Sequence, residues 1–360
     1  VLHDPMTIGA SAVLTPNGWV DRATVVVDGG RIVDVRPATG AVPDRVLAPG
    51  FVDLQVNGID DIDVSRADGE DWERLDAALL AQGVTAWCPT LVTAPLGWYA
   101  APLQRLRDAM HRPPAARPTI LGVHLEGPFL GGAPGAHRRD HLVPVDLSWL
   151  EALPDHVAMV TIAPECPGAP AAIRRLAGRG VLVSIGHTTA GVDDVAIAVD
   201  AGASMATHLF NAMSGLHHRD PGVAATVLTD RRLDASLIAD GIHVHPTMLR
   251  LAFEVLGDRA ILVTDAVAWL AGTAGTVGMA MVDGAPRLPD GTLAGSALTM
   301  DAAIRTCVAA GVDLAAALHA ASSRPARRIG AVHLGRLEPG APANLVALTP
   351  DLRVEHTWVV

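Results

Sequence analysis

Two textures of hydrophobic and polar positions divide the chain. Through its middle, short apolar runs recur as FVDLQV, VTAWCP, TILGVHL, VAMVTIAP, VLVSIGH, SMATHL, ASLIAD and AILVTD. Each reads as a buried strand. Most are separated by Ala- and Leu-rich stretches such as DWERLDAALLAQG and PAAIRRLAGRG, which read as helices. Eight strands joined mainly by helices, at roughly 30 residues per unit, predict an α/β fold, a (β/α)8 barrel over residues 48–334. The ends differ. Residues 1–47 and 335–360 alternate short β-rich runs with Pro/Gly turns, and ATVVVDGGRIVDV predicts a hairpin about Asp28-Gly29-Gly30. Both termini are expected to pair into a small β-sandwich domain. Segment 276–294 reads as another hairpin near the barrel's end, a candidate addition to that domain.

A barrel enzyme collects its chemistry at the C-terminal ends of its strands. The first strand ends in Gln55 and Asn57, the third in His124 and Glu126, the fifth in His187 and the sixth in His208. The seventh brings Asp240, His243 and His245, and the eighth ends in Asp265. A carboxylate with two imidazoles, each just past a strand, matches an open catalytic metal site of three protein ligands plus water. Gln55 and Asn57 point to one side of their strand and look like the remains of a metal-binding His-x-His.

Composition narrows the chemistry. Net charge is −11 with no basic run beyond pairs such as Arg138-Arg139, so nucleic acid is not an expected partner. No segment approaches the roughly 20 apolar residues that span a bilayer, and VLHDPMTIGA lacks the features of a signal peptide. Cys88, Cys166 and Cys307 are far apart and form no zinc or redox spacing, so a cytoplasmic setting is expected. The chain contains no lysine at all. That removes Schiff-base chemistry and any carboxylated lysine bridging two metals, and makes every fixed side-chain cation an arginine.

The ordered set QVNG, HLEGPF, GAH, GHT, THLFNAM, HHRDPG, DGIH, VTDA and GSALTMD resembles the N-acetylglucosamine-6-phosphate deacetylases of the amidohydrolase superfamily, from about Pro49 to Gly340. The resemblance implies that Glu126, His187 and His208 bind one divalent metal, Zn²⁺ first, with Fe²⁺ or Co²⁺ as alternatives. Gln55-x-Asn57 then resembles the one-metal members, since neutral amides are poor ligands for a deeper cation. Asp265 matches the general acid/base, and His137 the histidine that polarises the acetyl carbonyl. Asn211, Ala212 and Arg219 match phosphate contacts, the arginine reaching the neighbouring subunit's substrate in a homodimer. His243 matches a substrate contact, and Gln55 and Asn57 are expected to meet solvent, substrate or Asp265.

The implied reaction is hydrolysis of the acetamide of N-acetylglucosamine 6-phosphate, by water activated at the metal. Two alternatives stand beside it: another hydrolase or deaminase of the superfamily acting on a related amino-sugar phosphate, and a catalytically silent sugar-phosphate sensor. The second is motivated by Asp60, Asp61 and Asp63, where the family pattern has glycines; three acids would repel a phosphate unless they face solvent. For Asp265 the competing structural role is an N-cap for a helix over AVAWLAG. His217, His218 and His245 are weaker candidates. His3, His111, His156, His319, His333 and His356 are read as surface or packing residues.

Overall fold

The computed structural model describes residues 6–113 and 115–360, so His3 lies outside the described residues. Eight strands run in chain order: Phe51–Val56, Val84–Val92, Val123–Glu126, Val157–Ile162, Leu182–Ile185, Met205–Ala206, Asp234–Leu237 and Ala260–Leu262. Each is parallel to the next. A parallel bridge between Val56 and Ala266 closes the ring. At that seam the Asp265 amide donates to the Gln55 carbonyl at 3.0 Å, and the Asn57 amide to the Ala266 carbonyl at 2.7 Å. The first two strands are buried at every residue, which is why they carry no polar alternation.

The intervening helices turn one apolar stripe inward. Asp71–Ala81 buries Trp72, Leu75 and Leu79, and Ala169–Gly178 buries Ala169, Ala172, Ile173 and Leu176. Those spacings of three and four residues place the side chains on one helical face. Among the described residues, no helix is long and apolar enough to cross a membrane.

The termini meet in a six-stranded sheet, in the order Val354–Trp358, Leu345–Leu348, Val46–Pro49, Met6–Thr15, Gly18–Asp28, Arg31–Pro37. The expected hairpin is present. Gly29 and Gly30 take positive φ between paired Asp28 and Arg31, as a two-residue turn requires. Strand alternation splits the sheet's burial between two cores. Leu47, Leu345 and Ala347 join a terminal cluster with Val25 and Ile32, whereas Ala48, Val346 and Leu348 pack into the barrel core.

Residues 273–287 form two short antiparallel pairs, 273–274 with 277–278 and 280–282 with 285–287. Among the described residues they pair with none of the six terminal strands. They lie instead at the barrel mouth, where Ala274, Val277 and Met279 line a cavity.

Candidate active site

The cavity occupies about 210 Å³ at the C-terminal ends of the strands. It gathers Asn57, Glu126, His137, His187, His208, Asn211, Ala212, His243 and Asp265 from separate loops, while Val92, Ile238, Val267 and Leu293 supply apolar walls. Arg219 does not line it; that side chain sits in the exposed stretch Gly215–Asp220. Gln55 is buried just beneath.

The donors converge on Glu126. Its Oε1 lies 3.1 Å from His187 Nε2 and 2.9 Å from His208 Nε2, and the two Nε2 atoms are 3.0 Å apart. Ligands around a tetrahedral Zn²⁺ at about 2.0–2.1 Å would stand about 3.3 Å from one another, so this spacing fits one divalent ion. A second grouping is geometrically open, because Glu126, His137 and His187 also place ligand atoms within 4.8 Å of one another. Hydrogen bonding separates the two. The Thr93 amide donates to His137 Nδ1 at 3.3 Å, with the Thr93 hydroxyl 2.8 Å from the same atom. That ring nitrogen accepts, so the neutral ring carries its proton on Nε2 and offers a donor, not a lone pair. His187 is the reverse. Its Nδ1 donates to the Pro134 carbonyl at 3.1 Å and leaves Nε2 free to ligate. His208 therefore completes the set better than His137 does, although its Nδ1 is buried without a partner.

Charge and burial oppose each other here. Burial pushes the Glu126 carboxyl up, but the imidazoles of His137, His187 and His208 gathered around it outweigh burial and hold the group well below the usual range. Burial pulls His187 down to about 4, aided by the neighbouring His137. Burial also acts downward on His208, but the bond and charge of Glu126 leave that imidazole raised. A buried carboxylate surrounded by imidazoles is an environment that a cation would satisfy.

Asp265 lies on the other side of Gln55. Gln55 Nε2 donates to Glu126 Oε1 at 2.9 Å and to Asp265 Oδ1 at 3.0 Å, and Asn57 Nδ2 donates to the same Oδ1 at 2.7 Å. The amides are thus fixed with nitrogen toward the carboxylates, and their oxygens are buried without partners. A neutral donor stands between two acids, in the place a deeper cation would need. Burial, then the charge of Glu126, raises Asp265 to about 8. The capping alternative falls, because residues 266–272 form a bridge and turns rather than a helix.

His187, His208, Phe210, Ala212 and Asp265 all have positive φ, an arrangement costly for residues with a side chain and concentrated here at the site. His243 Nδ1 is held by Asp240 Oδ2 at 2.6 Å. Asn211 has turned its donors inward, with Nδ2 on the carbonyls of His208 and Leu209, so it shows the cavity an acceptor. To bind a phosphate, that amide must swing away from its loop.

Asp60, Asp61 and Asp63 do not line the cavity. Asp61 pairs with Arg74, and Asp60 is exposed with its carbonyl accepting from the Leu270 amide. Asp63 does not face solvent. It is buried and accepts from the amides of Ser65, at 2.9 Å, and Gly275, at 2.7 Å, tying the first loop to the hairpin over the cavity. Outside the cavity, His245 caps the helix Pro246–Leu256, and His111, His156 and His319 hydrogen-bond to nearby groups of Arg107, Leu103 and Ser323. Sequence reading missed Thr93, Asp53 and Glu165, which touch the site's loops from positions that carry no motif.

The Amidohydrolase family model matches residues 46–359. An N-acetylgalactosamine-6-phosphate deacetylase of Escherichia coli O157:H7 is 37% identical, with 97% of each chain covered. An N-acetylglucosamine-6-phosphate deacetylase of Danio rerio is 40% identical over 88% of this chain and 83% of its own. Among solved structures, an aspartate-to-alanine variant of N-acetyl-D-glucosamine-6-phosphate deacetylase from Mycobacterium smegmatis, in complex with N-acetyl-D-glucosamine-6-phosphate, superposes with a TM-score of 0.91. It is 32% identical, with 99% of this chain and 98% of that one covered. By sequence along most of its length, and by a barrel closed around one acid and its imidazoles, this chain belongs to the amidohydrolase family.

Proposed function

We propose that the protein hydrolyses the acetamide of N-acetyl-D-glucosamine 6-phosphate to D-glucosamine 6-phosphate and acetate. The observation that carries this reading is the pairing of a Glu126–His187–His208 ligand set with a separate buried acid, Asp265, in one cavity. The relatives' names supply the substrate class.

Glu126, His187 and His208 would hold one divalent cation, with Zn²⁺ suited to the donor set and Fe²⁺ or Co²⁺ compatible. When bound, such an ion lowers the pKa of a water and polarises a carbonyl. Asp265 takes the proton of the attacking water, whose oxygen bonds to the acetyl carbon. It then delivers that proton to the nitrogen as the C–N bond breaks. His137 donates from Nε2 to the carbonyl oxygen as negative charge gathers there. Gln55 and Asn57 hold Asp265 through Oδ1. His243, braced by Asp240, meets a sugar hydroxyl, and Asn211 with the Ala212 amide approaches the phosphate.

Among the described residues lining the cavity there is neither arginine nor lysine, yet a phosphate dianion calls for a fixed cation. Arg219 of a second copy supplies it in a two-fold homodimer, consistent with the side chain's exposure on its own subunit. A small, dissolved sugar phosphate as substrate favours action in the cytoplasm.

A second reading, the galactosamine epimer, is favoured by the Escherichia coli relative. Acetate release over gluco-, galacto- and manno-configured N-acetylhexosamines, with and without the 6-phosphate, tests both. Fastest turnover of the phosphorylated gluco sugar is expected. Faster turnover of the galacto epimer installs the second reading, and no acetate from any of them leaves the sensor alternative standing.

A further inference from the structure

Glu165 follows the fourth strand and touches no cavity atom, yet its carboxylate joins three loops. Oε1 accepts from the Gly132 amide at 3.0 Å, in the loop after the third strand, and from the Thr189 amide at 2.9 Å, in the loop after the fifth. Oε2 accepts from the Thr188 hydroxyl, which in turn accepts from the Ala190 amide at 2.9 Å. The approach leaves no room for side chains at the glycines. A Cβ on Gly131 would lie 2.0 Å from Glu165 Oε1, and one on Gly132 would lie 2.2 Å from Thr189 Oγ1.

These loops carry the chemistry. Thr188 and Thr189 follow His187 directly. The loop beginning at Gly131 supplies the Pro134 carbonyl that receives His187 Nδ1–H, and it ends at His137. His187 itself has φ +51, so its backbone must be held from both sides. The Gly131 amide donates to the His187 carbonyl at 2.9 Å, and the Thr188 amide to the Ala212 carbonyl at 3.0 Å. Glu165 fixes the distance between those two anchors.

We propose that Glu165 is a positioning residue that sets His187 and the His137 loop relative to each other, and so tunes both metal affinity and turnover; this rests on the ligand set assigned above. The atom assignment makes a particular forecast about charge. Both amide donors fall on Oε1, so glutamine can keep them, while its Nε2 donates to a Thr188 hydroxyl turned round to accept. Geometry, not charge, is the property required.

The test compares wild type with Glu165→Gln, Glu165→Ala and Thr188→Val by Zn²⁺ affinity in chelator competition, by kcat and KM, and by melting temperature. Outer partners of metal ligands typically govern about 10–100-fold in affinity or activity. Glu165→Ala should lose about that much in Zn²⁺ affinity and in kcat at saturating Zn²⁺, with KM changed less than threefold, and Thr188→Val should lose less. Glu165→Gln should stay within about threefold of wild type in all three. A folded Glu165→Ala protein with wild-type Zn²⁺ affinity and kcat overturns the proposal, as does a glutamine variant as impaired as the alanine one. If Glu165→Ala does not fold, Thr188→Val and Glu165→Gln decide: wild-type Zn²⁺ affinity in the first, or a loss of about tenfold or more in the second, overturns it. A wild-type protein that binds no Zn²⁺ overturns the ligand set itself, a result separate from equal binding by wild type and variant.

Discussion

Asn57 Nδ2 donates to Oδ1 of Asp265 at 2.7 Å, across the seam where the first barrel strand meets the eighth. Gln55 reaches the same oxygen from two residues earlier, while Oδ2 receives no hydrogen bond from the described residues. The seam therefore anchors one oxygen of the acid and leaves the other for proton transfer. This bears directly on the pH at which the acid works.

Burial and Glu126 raise Asp265 to about 8, and the Asn57 bond acts against them. A base must be deprotonated to accept a proton, so activity falls as pH drops through its pKa. A divalent ion beside Glu126 pulls that value down, but the contribution of Asn57 keeps its sign. In Asn57→Leu the carboxylate loses its closest donor, and the acidic limb of kcat/KM should move to higher pH. A pH–rate profile checks it; an unmoved limb, or one moved downward, removes Asn57 from any role in tuning Asp265.

Asp265→Asn should retain substrate affinity and lose turnover. Its Oδ1 can still accept from Gln55 and Asn57, so the seam stays closed, but an amide cannot take a proton from water. The expected fall in kcat is roughly 10²–10⁴-fold. Isothermal binding of substrate beside steady-state kinetics separates the two effects, and wild-type turnover would assign the proton transfer to another group.

The barrel was legible because each strand's burial writes itself as an apolar run, and the candidate ligands because family motifs sit at strand ends. The supporting contacts were not. Glu165 joins loops that are neighbours only after the barrel closes, and Asp63, read as a phosphate repellent unless it faced solvent, is buried with its oxygens on the Ser65 and Gly275 amides. Asn211 matched a phosphate motif, but its local turn claims its donors first. Residue type announced polarity in each case; only the fold decided which partner received it.

Asp53 offers a stability test from beneath the site. It is buried in the first strand, accepts from the Thr264 hydroxyl at 2.6 Å, and is raised by burial to about 7 despite that bond. The unfolded value is about 3.9. A raised acid binds its proton more tightly in the folded state, so this group favours folding below pH 4 and loses that contribution as pH rises through 7. The swing is up to about 4 kcal/mol. Asp53→Asn should therefore gain stability relative to wild type between pH 5 and pH 8, read by urea unfolding at each pH. A difference between the two proteins that is constant over this range would show that Asp53 does not titrate there.

One tightly held metal per chain is expected after dialysis, because Gln55 and Asn57 place N–H donors where a second cation would have to sit. Elemental analysis should find about one equivalent, and chelation should abolish acetate release until the ion is returned. Two equivalents at full occupancy would overturn the single-metal reading. Gln55→His with Asn57→His is expected to raise metal uptake without raising turnover.

Assembly gives the last test. Among the described residues no arginine lines the cavity, and Arg219 is exposed on its own subunit, so the phosphate cation should come from a two-fold partner. Asp265→Asn and Arg219→Ala should each form nearly inactive homodimers. In an equal mixture after complete subunit exchange, about half the dimers are mixed by random pairing across a two-fold interface. One site of a mixed dimer carries both lesions, because its own Asp265 and its neighbour's Arg219 are lost. The other site is intact. Activity should then recover to about a quarter of wild type, half the dimers each working at half capacity. Tagged chains establish that exchange has gone to completion. With exchange complete, activity held at the parents' level would place Arg219 in its own subunit's chemistry or outside the reaction altogether.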